Sequence, residues 1–207
     1  MNGNVPETLR DYLKSRDEEL ADRANHFWRI SKQILDRQSR PNSNENGEVH
    51  VKMVERNIWR LIKDSGNVSE FTPYEVFLLS CSACCHDFDK GLFDSLPYDM
   101  EHGEGSGDYV FKEFKTFLQN FHESFAIKKI IGIHDFSSER FHEELKKVDL
   151  SFSLSSGPVK LQKLAVIFKA ADILHTDNSR IPTMGVDLAK LTDKQKNKHH
   201  ARESISG

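Results

Sequence analysis

Several side chains in this 207-residue sequence stand where ordinary core packing would not put them. His50, His86 with Asp87, His134 and Asp172 fall on positions that helical spacing assigns to buried faces of four separate helices, and His102 falls at the start of a fifth. A buried ionised carboxylate is costly unless it is paired or bound to a cation, and here Asp87 and Asp172 fall among neutral imidazoles. A metal cation answers both needs. Imidazole with carboxylate suits Mn, Fe, Co, Ni or Zn, whereas oxygen ligands alone would be expected for Ca or Mg. Adjacent His86 and Asp87 point about 100° apart on a helix, yet near the helix end both can flank one ion lying over the axis. Each histidine alone has a plainer explanation as a hydrogen-bonded core residue; the metal reading rests on the set.

The elements that must position these residues read as helices. Leu9, Leu13, Leu20, Ala24, Phe27, Ile30 and Ile34 recur at three- and four-residue steps with some drift, predicting one amphipathic helix or two end to end over 7–38. RPNSNENGE (40–48) reads as a loop. Helix resumes near Glu48 and carries His50, Met53, Val54, Ile58, Leu61 and Ile62, with Gly66 where the chain leaves it. Thr72, Pro73 and Glu75 form a helix start with a capping box. The segment that follows, YEVFLLSCSACCHDF, is apolar or small on every side, as a central helix would be. Gly91 is expected to turn the chain out of it. The Gly-rich stretch LFDSLPYDMEHGEGSGD leads into a helix marked by Tyr109, Val110, Phe114, Phe117 and Leu118, and a further helix carries Ile127, Ile130 and Ile131 with His134 continuing its stripe. After a Ser-rich loop around 151–157, Pro158 is expected to open the last strong helix, whose inner face reads Leu161, Leu164, Ala165, Phe168, Asp172, His175. No strand-period run competes with the helices and no repeat is evident, so the fold class is all-α.

With 37% hydrophobic and 29% charged residues the chain can bury a sizeable core, which excludes a disordered or fibrous protein. The net charge of −3 supplies no strong field for nucleic acid or an anionic membrane. No apolar run reaches the roughly 20 residues that span a bilayer, and the amino terminus lacks an apolar signal core. The three cysteines, Cys81, Cys84 and Cys85, cannot staple distant segments, which fits a reducing cytoplasm. Their C-x-x-C spacing has no second pair, so they read as small core residues. The Lys-rich run near 190–198, with His199 and His200 after it, reads as a solvated face.

In this order the residues resemble a family. His50, then His86-Asp87, then Asp172 at the end of FKAADILH looks like the HD superfamily of metal-dependent phosphohydrolases, and HDFDKG resembles its HD-x-x-K-G signature with Lys90 at the matching place. His102 within EHGEGS and His134 within IIGIHD fall where two-metal members place extra histidines; such relatives often carry paired histidines at the fifth site, and this chain has His134-Asp135. The resemblance covers residues 27–185. FWRISKQIL and KHHARESISG are more loosely similar to bacterial HD modules that precede an Hsp90-like ATPase domain, which implies the front part of a longer protein.

The resemblance implies a helical HD domain over 39–207 with a helical segment, 1–38, packed on its core. It implies one metal held by His50, His86, Asp87 and Asp172, and a second that shares Asp87 and is completed by His102 and His134. Beside Asp87, Lys90 and Arg180 are the cations expected to bind a phosphate. The implied activity is hydrolysis of a nucleotide or other phosphate ester by metal-activated water. Two other readings stay open: a ligand-sensing module coupled to a downstream ATPase, and a di-iron oxygenase.

Overall fold

A computed structural model describes residues 6–38, 47–66, 68–89, 101–114, 118, 121–154 and 157–174. Lys90, Gly91, Phe117, His175, Arg180, His199, His200 and the Lys-rich run lie outside the described residues. Eight α-helices are seen among the described residues: α1 (Leu9–Arg16), α2 (Glu18–Gln38), α3 (Gly47–Asp64), α4 (Pro73–Cys85), α5 (His102–Glu113), α6 (Phe121–Ile131), α7 (Ser138–Leu145) and α8 (Leu161–Ile173). The fold is all-α apart from a small hairpin of β1 (Phe152–Leu154) and β2 (Gly157–Val159). No helix among the described residues is long and apolar enough to cross a membrane.

The centre of the fold is α4. Every residue from Glu75 to Asp89 is buried, and α1, α2, α3, α6 and α8 all pack against the helix. A helix apolar all round is stable only when surrounded, and YEVFLLSCSACC meets that condition. Its three cysteines are fully buried, and burial pushes the thiols of Cys81, Cys84 and Cys85 well up, so they pack as small apolar residues.

Local chemistry sets the helix ends. The first segment is two helices, because Asp17 takes an extended backbone, donates its N–H to the Leu13 carbonyl at 2.7 Å and accepts from Leu20 N at 3.0 Å, closing α1 and opening α2. Gly66, at φ 72°, supplies the left-handed turn after α3 that a side chain would strain. Thr72 and Glu75 form the capping box on α4, as the sequence predicts. Glu75 does more than that. Its Oε2 accepts from Thr72 N at 3.0 Å, while its Oε1 accepts from Lys160 N, also at 3.0 Å, at the start of α8. The two 13-residue helices are therefore tied at their beginnings and run side by side for about 20 Å. At their far ends they deliver His86-Asp87 and Asp172 to one place.

Three local expectations change. Gly103, Gly105 and Gly107 belong to α5 itself, which starts at His102. Glycine in a helix sacrifices roughly 1 kcal/mol relative to alanine, and here close packing demands it: a Cβ on Gly107 would stand 3.2 Å from the Lys128 carbonyl of α6, and one on Gly105 2.6 Å from Cγ of Asp89. Pro158 does not open the last helix. It sits in β2 opposite Ser153, since a two-stranded ribbon tolerates a residue without an N–H, and α8 begins at Leu161. Helix α7, capped by Ser137, adds an element that the periodicity left unassigned.

Candidate metal centre

His50 occupies the first turn of α3, and Asn57 two turns on donates to the Ala171 carbonyl at 3.1 Å, locking α3 against the end of α8 beside Asp172. His86 caps the carboxyl end of α4, and Asp87 follows in the turn. His102 opens α5, while His134 sits in the turn after α6, which ends at Ile131. Five elements thus contribute through their ends, where a side chain can lean over a shared space.

The donors converge. Nε2 of His50 lies 2.9 Å from Nε2 of His86, 3.4 Å from Oδ2 of Asp87 and 3.2 Å from Oδ1 of Asp172. Nε2 of His86 lies 3.5 Å from Oδ1 of Asp87 and 3.7 Å from Oδ1 of Asp172. On the other side of Asp87, Oδ1 lies 3.4 Å from Nε2 of His102 and 4.0 Å from Nε2 of His134, and these two nitrogens are 3.2 Å apart. Ligands about 2.1 Å from one ion have neighbours about 3.0–3.4 Å away by the geometry of octahedra and tetrahedra; the spacings of 2.9–3.5 Å suit a coordination shell, while the pairs at 3.7 and 4.0 Å are wider.

Proton placement supports this. Nδ1 of His86 faces the Ala83 carbonyl at 2.9 Å and Nδ1 of His134 the Ile131 carbonyl at 2.6 Å. A carbonyl only accepts, so both rings carry a proton on Nδ1 and, when neutral, present a bare lone pair at Nε2. Nδ1 of His102 is 2.7 Å from Oδ2 of Asp135, which orients that ring the same way. When both rings are neutral, the lone pairs of His102 and His134 face each other at 3.2 Å, an arrangement that a cation between them would relieve. Burial, followed by the neighbouring His102 and His86, pushes His134 down to about 3, so it stays neutral. Asp172 stays charged: burial raises its carboxyl, but the imidazoles around it outweigh burial and hold it well below the ordinary range. Its Oδ1 stands 3.2 Å from Nε2 of His50 and 3.7 Å from Nε2 of His86. A neutral imidazole at His134 beside the ionised carboxylate of Asp172, among further histidines and Asp87, is a donor set that fits a transition metal.

The six predicted ligands are all brought together. They form overlapping groups whose ligand atoms lie within 4.8 Å of one another: His50, His86 and Asp87; His86, His134 and Asp172; and Asp87, His102 and His134. Residues 43–207 match one protein family, described as HD-CE. The chain belongs to the HD-CE family. No curated protein and no solved structure matches it. The HD-CE match covers every residue of the cluster, so the His/Asp constellation is part of the module itself.

Two residues near the cluster were not among the predicted ligands. Asp135 orients His102. Burial works against its charge, but the His102 contact and the Gly103 N–H hold its carboxyl below the usual range. Lys169 ties the turn that carries His134 to α8.

Gly103 makes the second half of the cluster possible. A Cβ there would stand 2.6 Å from the Ile131 carbonyl oxygen, 2.7 Å from Nδ1 of His134 and 2.9 Å from Oδ1 of Asp135. Gly103→Ala is expected to destabilise the fold by about 1–3 kcal/mol, the usual cost of overpacking, and to shift the His134 ring. Thermal unfolding and the ring's NMR resonances check this; an unchanged Tm with unmoved resonances would show that α5 accommodates the methyl.

Proposed function

We propose that this HD-CE module is a metal-dependent phosphohydrolase or phosphodiesterase acting on a nucleotide or other phosphate ester. The observation that carries the reading is the shared carboxylate of Asp87, whose Oδ2 faces His50 and whose Oδ1 faces His102. In the proposed site His50, His86, Asp87 and Asp172 hold one ion, and Asp87, His102 and His134 hold a second. When bound, such ions supply hydroxide near neutral pH and neutralise charge on a transferring phosphoryl group.

The chain's own residues do the rest. The main-chain carbonyls of Ala83 and Ile131 and the carboxylate of Asp135 keep His86, His134 and His102 in the tautomer that offers Nε2 inward. Phe168, fully buried and edge-on to both His86 and His134, excludes water from behind those rings. Lys90 and Arg180 are the cations proposed for the substrate phosphate.

The test is phosphate release from nucleotides and generic phosphodiesters by the chain loaded with Mn, Fe, Co, Ni or Zn, against a chelated control. Release that follows metal loading is the expected result. Nucleotide binding without turnover would favour a ligand-sensing module coupled to a downstream domain such as an Hsp90-like ATPase, and oxygen consumption with iron would favour an oxygenase.

A further inference from the structure

Lys169 lies on α8 one turn before Asp172 and is partly buried. Its Nζ donates to the main-chain carbonyls of His134 at 2.8 Å and Phe136 at 2.7 Å, the residues on either side of Asp135. The ammonium also sits 4.8 Å from the centroid of the Phe141 ring. An ammonium has three protons. With two directed at carbonyls and an aromatic face close by, this cation is committed to the protein and not to a substrate.

The segment it grips needs an outside hold. Helix α6 ends at Ile131, with Gly132 N still tied to the Lys128 carbonyl at 2.8 Å; beyond it residues 133–136 have only long main-chain ties, His134 N to the Ile131 carbonyl at 3.3 Å and Phe136 N to the Ile133 carbonyl at 3.4 Å, beside the His134 ring's own contact to the Ile131 carbonyl. Yet this turn carries two functions at once. The His134 ring is a donor of the group Asp87, His102 and His134, and the Asp135 carboxylate orients the His102 ring. A displacement of the turn therefore disturbs two of that group's three donors. His50, His86 and Asp87 ride on α3 and the end of α4 and do not depend on it.

We propose that Lys169 is a positioning residue that assembles the second donor group by clamping the His134–Phe136 turn to α8. The inference rests on the two-ion reading above and adds to it a residue that touches no ion. Because the same helix carries Asp172, one rigid element fixes a first-site ligand directly and the second-site pair through two carbonyls.

Mn²⁺ alone, added to the whole chain and followed by calorimetry and electron paramagnetic resonance, tests this. The wild type is expected to take two equivalents and show an exchange-coupled spectrum. Lys169→Met should keep the first ion at unchanged affinity, weaken the second by roughly 10–100-fold, the range for outer partners of metal ligands, and show the single-ion spectrum at two equivalents. Lys169→Arg, which retains donors, should restore most of the second affinity and the coupling. Wild-type binding of both ions by Lys169→Met, equal weakening of both, or no rescue by arginine would overturn the proposal. If the wild type binds a single ion even at saturation, the two-ion reading fails and this inference with it, and that result is visible before any variant is made. Should the methionine variant not fold, Lys169→Gln is read in its place: second-ion affinity is expected between those of wild type and metal loss, and an unchanged value overturns the clamp.

Discussion

Asp87→Ala is expected to strip the chain of both ions together and, where phosphate-ester turnover is found, to lower it roughly a thousandfold or more, because metal ions supply several kcal/mol of charge stabilisation in such reactions. The Asp87 carboxylate faces both halves of the cluster: Oδ2 stands 3.4 Å from Nε2 of His50, while Oδ1 stands between the halves, 3.5 Å from Nε2 of His86 and 3.4 Å from Nε2 of His102. Alanine leaves two imidazoles and one carboxylate in the first group and two imidazoles alone in the second. In the second group nothing then offsets a dication's charge, and in the first a single carboxylate faces two positive charges with the shell one ligand short. Loss of fold is a separate matter and can be told apart. Metal-free Asp87→Ala should be as stable as the metal-free wild type or more so, since a carboxylate buried among imidazoles is costly without a cation. Added metal should raise Tm in the wild type, with about 2.7 kcal/mol of stabilisation at a hundredfold excess over Kd, and leave the variant unmoved. Elemental analysis and paired thermal scans make the comparison. Unchanged metal content in Asp87→Ala would end the assignment of this residue as the shared ligand.

What the sequence disclosed follows from the kind of physics each feature uses. The capping box of Thr72 and Glu75, the exit at Gly66 and the all-round apolar character of α4 are local, and they are legible because neighbours in sequence create them. The proposed ligands are legible for a related reason, as polar residues on faces that periodicity marks as buried. Glu75 shows where local reading stops: its second oxygen reaches Lys160, 85 residues on, and nothing in the periodicity announces that. Asp135 looked like a departure from a paired-histidine pattern, yet a carboxylate there does for His102 what a second imidazole could not, accepting its Nδ1 proton as an ionised partner. The glycines of α5 read as a loop because glycine ordinarily breaks helices; only the carbonyl and the carboxylates of neighbouring segments pressing on that helix explain them. Lys169 is the extreme case, a solvent-type residue whose partners are carbonyls 35 and 33 positions away.

The same geometry separates the two histidines of the second group. His102 belongs to one donor group, with Asp87 and His134, whereas His134 belongs also to a group with His86 and Asp172. His102→Ala is therefore expected to lose close to one equivalent of metal, with the first ion held as in the wild type. His134→Ala should lose the same equivalent and weaken the remaining ion as well, because the ring lies edge-on to His86 at 5.1 Å between centroids and its removal opens a cavity beside that ligand. Asp87 remains in both variants, so neither should show the complete loss expected for Asp87→Ala. Turnover should fall roughly a hundredfold or more in His102→Ala, as when one preorganised charge is removed from a transition state, and should fall further in His134→Ala. Metal titration read against kcat and KM distinguishes the cases: loss of transition-state stabilisation lowers kcat and kcat/KM alike. Retention of two equivalents by His102→Ala would retire the binuclear assignment while leaving a single-ion hydrolase at His50, His86, Asp87 and Asp172. Identical behaviour of the two variants toward the first ion would show that His134 serves the second group alone.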